Sequence, residues 1–130
     1  MTLEEELQQD CERLADDPLK WVKWAFDWGK GELDYSEGPD DWQADVLNEI
    51  GAYCQKIARG ENPGPLQLAV ASGHGIGKSA LVAWIIQWFM STRAFPQIVV
   101  TANTEAQLLT KTWRTLSRWH KLFTLAPNAK

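Results

Sequence analysis

Cysteine and histidine are scarce, with two of each in 130 residues. Cys11 and Cys54 lie far apart, form no C-x-x-C pair and have no histidine cluster near them. The pattern therefore indicates neither a disulfide framework nor a zinc site, and both read as reduced thiols. Long apolar runs are missing too. The longest, Ala80 to Met90, has 11 residues and includes Gln87, whereas a membrane-spanning helix needs ~20. The amino terminus, Thr2-Leu3-Glu4-Glu5-Glu6, is acidic, so no signal peptide is expected. Positive charge is not in excess either. The net charge is −4, so any basic surface must be local. There is no internal repeat and no low-complexity tract. These absences lead us to expect a soluble intracellular chain with no membrane contact.

What is present suits one domain or a piece of a larger one. Hydrophobic residues make up 45% and aromatics 11%, with eight tryptophans, enough to bury a core. Thr2 and Glu5 have the spacing of a capping box, with Leu3, Leu7 and Leu14 on one face. This first helix should stop near Asp16-Asp17-Pro18. Asp17 then caps a second helix with Pro18 at its first position. Trp21, Trp24 and Trp28 follow as an aromatic stripe that reads as core packing, and Gly29 supplies the exit. A loop over 29–40 leads to a third helix over 41–57, and residues 60–65, Gly-Glu-Asn-Pro-Gly-Pro, are a strong break.

Beyond the break, Leu66 to Ala71 reads as a short buried strand and Ser72 to Gly77 as a glycine-rich turn. Lys78 to Met90 reads as a helix apolar on nearly every side. Pro96 precedes a second predicted strand, Gln97 to Thr101. Strand, turn, helix and strand in this order predict a parallel, right-handed βαβ unit, and a last helix is expected from about Thr104 to Phe123. The turn holds Gly73, His74, Gly75, Ile76 and Gly77, followed by Lys78 and Ser79. Glycines let successive N–H groups turn inward around an anion, and the helix N-terminus adds its dipole. Lys78 can reach the β- and γ-phosphates, and the Ser79 hydroxyl can ligate Mg²⁺. Ser72 stands where the strict G-x-x-x-x-G-K-[ST] pattern has glycine, a small departure. A dinucleotide fingerprint fits worse, because Lys78 occupies the place of its third glycine. The expected ligands are a nucleoside triphosphate and Mg²⁺, with Lys78 the residue on which catalysis would rest.

The stretch from Ser72 to Phe123, together with Trp28-Gly29 and Gly38-Pro39-Asp40-Asp41-Trp42-Gln43, resembles the start of the ATPase domain of a bacteriophage or prophage terminase large subunit. The resemblance implies an α/β fold: a P-loop NTPase of the RecA-like, additional-strand (ASCE) type, with an incomplete parallel βαβ core behind an α-helical amino-terminal segment. It divides the chain into a helical segment, 1–60, and the start of the ATPase core, 61–130. It implies a motor that drives viral double-stranded DNA into procapsids in the bacterial host cytoplasm, working with a terminase small subunit and a portal protein. It places Gln43 where the family recognises adenine, and the amide's donor and acceptor match that base edge. It also puts His74 where many terminases carry an arginine, whose fixed charge imidazole does not replace. Asn103 and Thr104 fall either on a coupling motif after the second strand or on a plain helix cap.

Lys111, Arg114, Arg118 and Lys121 fall on one stripe of the last predicted helix, with Leu109, Trp113, Leu116 and Phe123 broadly opposite. The stripe reads as a DNA-backbone contact or as an ordinary solvated face. No run of four hydrophobic residues followed by Asp-Glu occurs, and the acidic residues concentrate before residue 62. The expectation is therefore an amino-terminal fragment without the Walker B strand or the nuclease domain. Such a fragment binds nucleotide, hydrolyses it poorly and self-associates through an exposed sheet edge. A P-loop DNA helicase or remodeller, and a non-catalytic tryptophan-rich interaction module, are the competing readings.

Overall fold

The computed structural model of the chain describes residues 2–33, 36–70, 78–101, 104, 106 and 108–123. Among these the architecture is helical. It comprises α1 (Leu3–Arg13), α2 (Pro18–Ala25), a short 3₁₀ turn (Gly31–Leu33), α3 (Asp41–Ala58), α4 (Lys78–Thr92), a π-helical turn (Leu108–Trp113) and α5 (Arg114–Leu122).

Local chemistry sets most of these boundaries. Thr2 Oγ1 accepts the Glu5 N–H and Glu5 Oε2 accepts the Thr2 N–H, both at 3.2 Å, closing the expected capping box of α1. Asp17 Oδ1 accepts the Lys20 N–H at 3.1 Å, with Pro18 as the first residue of α2. α3 ends in a Schellman motif: the Gly60 N–H donates to Ile57 O at 3.0 Å and the Glu61 N–H to Lys56 O at 3.0 Å. Gly60 sits at φ +87°, a conformation that favours glycine.

The core is aromatic. Trp21, Val22 and Ala25 of α2 are fully buried, and Phe26 just beyond the helix nearly so. They meet Leu47 of α3, Leu81, Trp84 and Trp88 of α4, and Trp119 and Phe123 at the end of the chain's described part. Trp84 lies 5.7 Å from Trp28 and 5.2 Å from Trp119, with Phe26 against Trp119 at 5.0 Å, measured between ring centroids and mostly edge to face. Trp28 reaches this cluster from the loop after α2, held by its indole N–H on Val22 O at 3.0 Å. Most of the tryptophans thus pack the interior. But α2 ends at Ala25, short of the expected exit at Gly29, so Trp28 joins from the loop rather than from a helical stripe, and Trp113 is exposed.

Arg93, just past α4, ties that helix to the α1–α2 junction. Its guanidinium donates to Ala15 O at 2.8 Å, pairs with Asp16 at 3.4 Å and stacks over the Trp88 ring at 4.8 Å. Trp88 adds a bond from its indole N–H to Leu14 O at 3.4 Å. Gly51 marks where α3 approaches the start of α2. A methyl group there would meet Pro18 Cδ at 3.2 Å.

The predicted βαβ core is not what the chain forms. Among the described residues there is no strand, and 66–70 and 97–101 have no regular secondary structure. The fold class is therefore all-helical, and a parallel-sheet P-loop NTPase core is overturned. The cause is tertiary. Strand-forming residues mark a surface that fits a pleated, half-buried sheet, and a parallel sheet is stable only with both faces covered. Here Leu66, Leu68 and Val70 are exposed and Val99 is 88% exposed. The apolar side chains expected along a sheet edge are presented by irregular segments instead. The last helix also departs from expectation. Its first turns widen into the π-helix, which shifts the register, and Trp113, predicted for the apolar face, is 42% exposed. Trp119, not predicted for that face, takes the buried place.

Candidate phosphate site

Lys78 and Ser79 are the first two residues of α4, half-buried and exposed respectively. The helix they open runs 15 residues and buries Leu81, Ala83, Trp84, Ile86, Gln87 and Trp88. Packing of those side chains therefore fixes the position of its first turn. The leading N–H groups of a helix have no partner inside it and carry partial positive charge. Gly73, His74, Gly75, Ile76 and Gly77, the remaining loop residues, lie outside the described residues, as does Asn103.

A cavity of about 180 Å³ opens beside this turn. Its polar lining is Lys78, Ser79, Thr101 and Thr112, and its apolar wall comes from Val82, Ala83, Ile86, Val100 and Leu116. A lysine and three hydroxyl-bearing residues lining one small space suit an oxyanion. The volume falls below the ~300–1,000 Å³ usual for a drug-sized ligand, so it matches the phosphate end of a nucleotide rather than the whole. Among the described residues no acidic side chain lines the cavity. The described residues fit ATP-Mg²⁺ to this extent: Ser79 offers one hydroxyl to the cation, and the rest of its coordination would come from phosphate oxygens and water.

Gln43 is not brought to this site. It is buried at 4% exposure on α3, and its carboxamide oxygen accepts the Asp40 N–H at 2.8 Å. That is the reciprocal half of a capping box, so the side chain serves the start of α3. The Asp40/Gln43 spacing carried that signal in the sequence. Arg114, Arg118 and Lys121 are exposed on α5, and among the described residues no acidic side chain is ion-paired with them. The side chain of Lys111 lies outside the described residues, and Thr104 is exposed.

Thr112 is the polar cavity residue that sequence reasoning missed, whereas Thr101 opens the 101–104 stretch expected to hold a coupling motif or a helix cap. Thr112 depends on the π-helical turn, for which the sequence gives no signal. Among the described residues no group of three or more His, Cys, Asp or Glu side chains is placed to hold a metal, and no helix is long and apolar enough to cross a membrane. Comparison of the chain with protein-family models, curated proteins and solved structures finds no match.

Proposed function

We propose that this chain is the ATP-binding part of a DNA-packaging motor of the terminase large-subunit kind, holding the phosphates of ATP at the amino end of α4. The observation that carries the reading is that Lys78, Ser79, Thr101 and Thr112 line one small cavity at that helix start. The proposal rests on the Gly-Ile-Gly-Lys-Ser run, 75–79, and the helix it opens. No sheet enters it. Lys78 offsets the charge of the β- and γ-phosphates, the Ser79 hydroxyl is a Mg²⁺ ligand, and the first N–H groups of α4 receive phosphate oxygens. Bound Mg²⁺ would supply charge neutralisation between the phosphates.

Double-stranded DNA is the substrate the motor acts on, in the host cytoplasm, with small subunit and portal as partners. Carboxylates that would hold Mg²⁺ and activate water are not among the described cavity residues. The chain should therefore bind nucleotide and turn it over slowly. The tryptophan-rich docking module is disfavoured, because Trp21, Trp84, Trp88 and Trp119 are buried in the chain's own core.

Calorimetric titration with Mg-ATP tests the reading. Saturable binding that Lys78→Ala abolishes is the expected result. Equal heats for the two proteins, or none for either, would overturn it. Hydrolysis well above the Lys78→Ala control would show that the chain carries a complete ATPase rather than its binding half.

A further inference from the structure

The π-helical turn Leu108–Trp113 is the least ordinary element of the fold, and it sits against the candidate site. Helices with i→i+5 bonding account for well under 1% of residues. They occur mostly as single turns inside α-helices and often at functional positions. This one runs directly into α5, which is fixed to α4 at two points. Gln87 Nε2 donates to Leu116 O at 3.4 Å, and Trp119 packs edge-on against Trp84. With α5 anchored, the extra residue in the preceding turn decides where its side chains point. In an ordinary α-helix each successive residue turns by about 100°, so one residue more or less redirects a side chain completely.

The turn holds two threonines with different fates. Thr110 Oγ1 donates to Ala106 O at 2.6 Å, the back-bond that a helical threonine commonly makes. Thr92 at the end of α4 does the same to Trp88 O at 2.6 Å. Thr112 makes no such bond among the described residues. It is half-buried and lines the cavity that Lys78 and Ser79 open onto. A hydroxyl with no partner among the described residues, in a cavity with a lysine, is a ready donor to an oxyanion.

We propose that Thr112 is a ligand-binding residue of the Lys78–Ser79 cavity, donating its hydroxyl hydrogen to a phosphate oxygen, and that the π-helical turn exists to place it there. This rests on the reading of the cavity as a phosphate site. It adds a contact from the far side of that cavity, contributed by the element that leads into the basic helix α5. The ligand class is a polyphosphate ester or free polyphosphate, because the cavity accepts the phosphate end alone.

The test is calorimetric titration of the whole chain with Mg-ATP and, separately, with inorganic tripolyphosphate. The variants are Thr112→Val, Thr112→Ala, Thr112→Ser, Thr110→Val and Lys78→Ala, each with a thermal melt. A hydrogen bond to a charged group is worth about tenfold or more in affinity. Thr112→Val and Thr112→Ala should therefore weaken both ligands about tenfold, while Thr112→Ser stays within about threefold of the parent. Thr110→Val, one residue away from Thr112's immediate neighbour and with its hydroxyl already committed, should bind as the parent does. If the parent binds, Lys78→Ala does not, and both Thr112 truncations bind like the parent, the Thr112 assignment is wrong while the phosphate site stands. If Thr110→Val costs as much as Thr112→Val, the effect is on the helix and the assignment is again wrong. If the parent binds neither ligand, the phosphate reading and the Thr112 assignment fall together.

Discussion

Trp84 and Trp119 meet edge to face, 5.2 Å between ring centroids and 86° between ring planes, and through them α4 is clamped to α5. Trp28 closes the group from the other side, 5.7 Å from each ring. The amino end of α4, with Lys78 and Ser79, is held in place by this cluster rather than by a sheet.

The two tryptophans Trp84 and Trp28 should respond differently to the same change. Trp84 Nε1 is buried with no hydrogen-bond partner among the described residues, whereas Trp28 Nε1 donates to Val22 O at 3.0 Å. Replacement by Phe removes area in both. Only at Trp28 does it also leave a carbonyl without its donor, which costs about 1–3 kcal/mol when the group is buried. Urea melts should therefore show Trp28→Phe more destabilising than Trp84→Phe. Trp84→Ala should cost about 3–5 kcal/mol through the cavity it opens. A Trp84→Ala loss below about 1 kcal/mol would show that the cluster contributes little to stability.

Phe95 invites a stabilising change. It is non-glycine at φ +52° and 98% exposed, so its ring gains almost nothing from packing while its backbone is held in the left-handed region. For an L-residue that conformation costs roughly 1–2 kcal/mol, most of which Gly avoids. Part of the gain is offset by the greater freedom of Gly in the unfolded chain. Phe95→Gly should raise stability by about 0.5–1 kcal/mol, read as a higher denaturation midpoint with unchanged slope.

The caps and turns were legible because they depend on neighbours three or four residues away. Thr2 with Glu5, Asp17 with Pro18, and the 60–65 break all appear where their local chemistry places them. Lys78 does open an apolar buried helix, as expected. The strands were not legible as failures, since Leu66 to Val70 and Ile98 to Val100 have the right residues and lack only partners. Whether such a segment pairs depends on what the rest of the chain brings against it, which no local pattern encodes. At Gln43 the sequence carried a local signal beside the reading toward a ligand: the Asp40 N–H three residues back donates to its carboxamide oxygen, the spacing of a capping box.

Both thiols should be slow to react in the folded protein. Burial pushes the Cys11 thiol above its ordinary 9.0, with Trp21 opposing. Burial also raises Cys54 above 9.0, with the nearby Arg93 guanidinium opposing. A folded-state value above the unfolded one means the folded chain keeps its thiol protons longer. Any contribution to stability is then complete below about pH 9 and is lost as pH rises through the folded values. Alkylation at pH 8 should be slower than for free cysteine and should accelerate to the free rate in denaturant. Labelling of either residue at the free rate in the native protein would contradict the burial seen here.

The charge distribution makes α5 the place to look for nucleic-acid contact. Residues 62–130 carry one of the 17 acidic residues, Glu105, but seven of the 13 basic ones. Arg114, Arg118 and Lys121 stand exposed on α5. A face that neutralises three phosphates should give binding whose logarithm falls with the logarithm of salt at a slope near −3, at about −0.9 per contact. Titrating double-stranded DNA of unrelated sequences should show similar affinities at low salt, steeply lost as salt rises. The triple replacement Arg114→Ala, Arg118→Ala and Lys121→Ala should weaken all sequences alike and flatten that slope by two to three units. An unchanged slope would make the stripe an ordinary solvated face and would locate any DNA contact elsewhere on the chain.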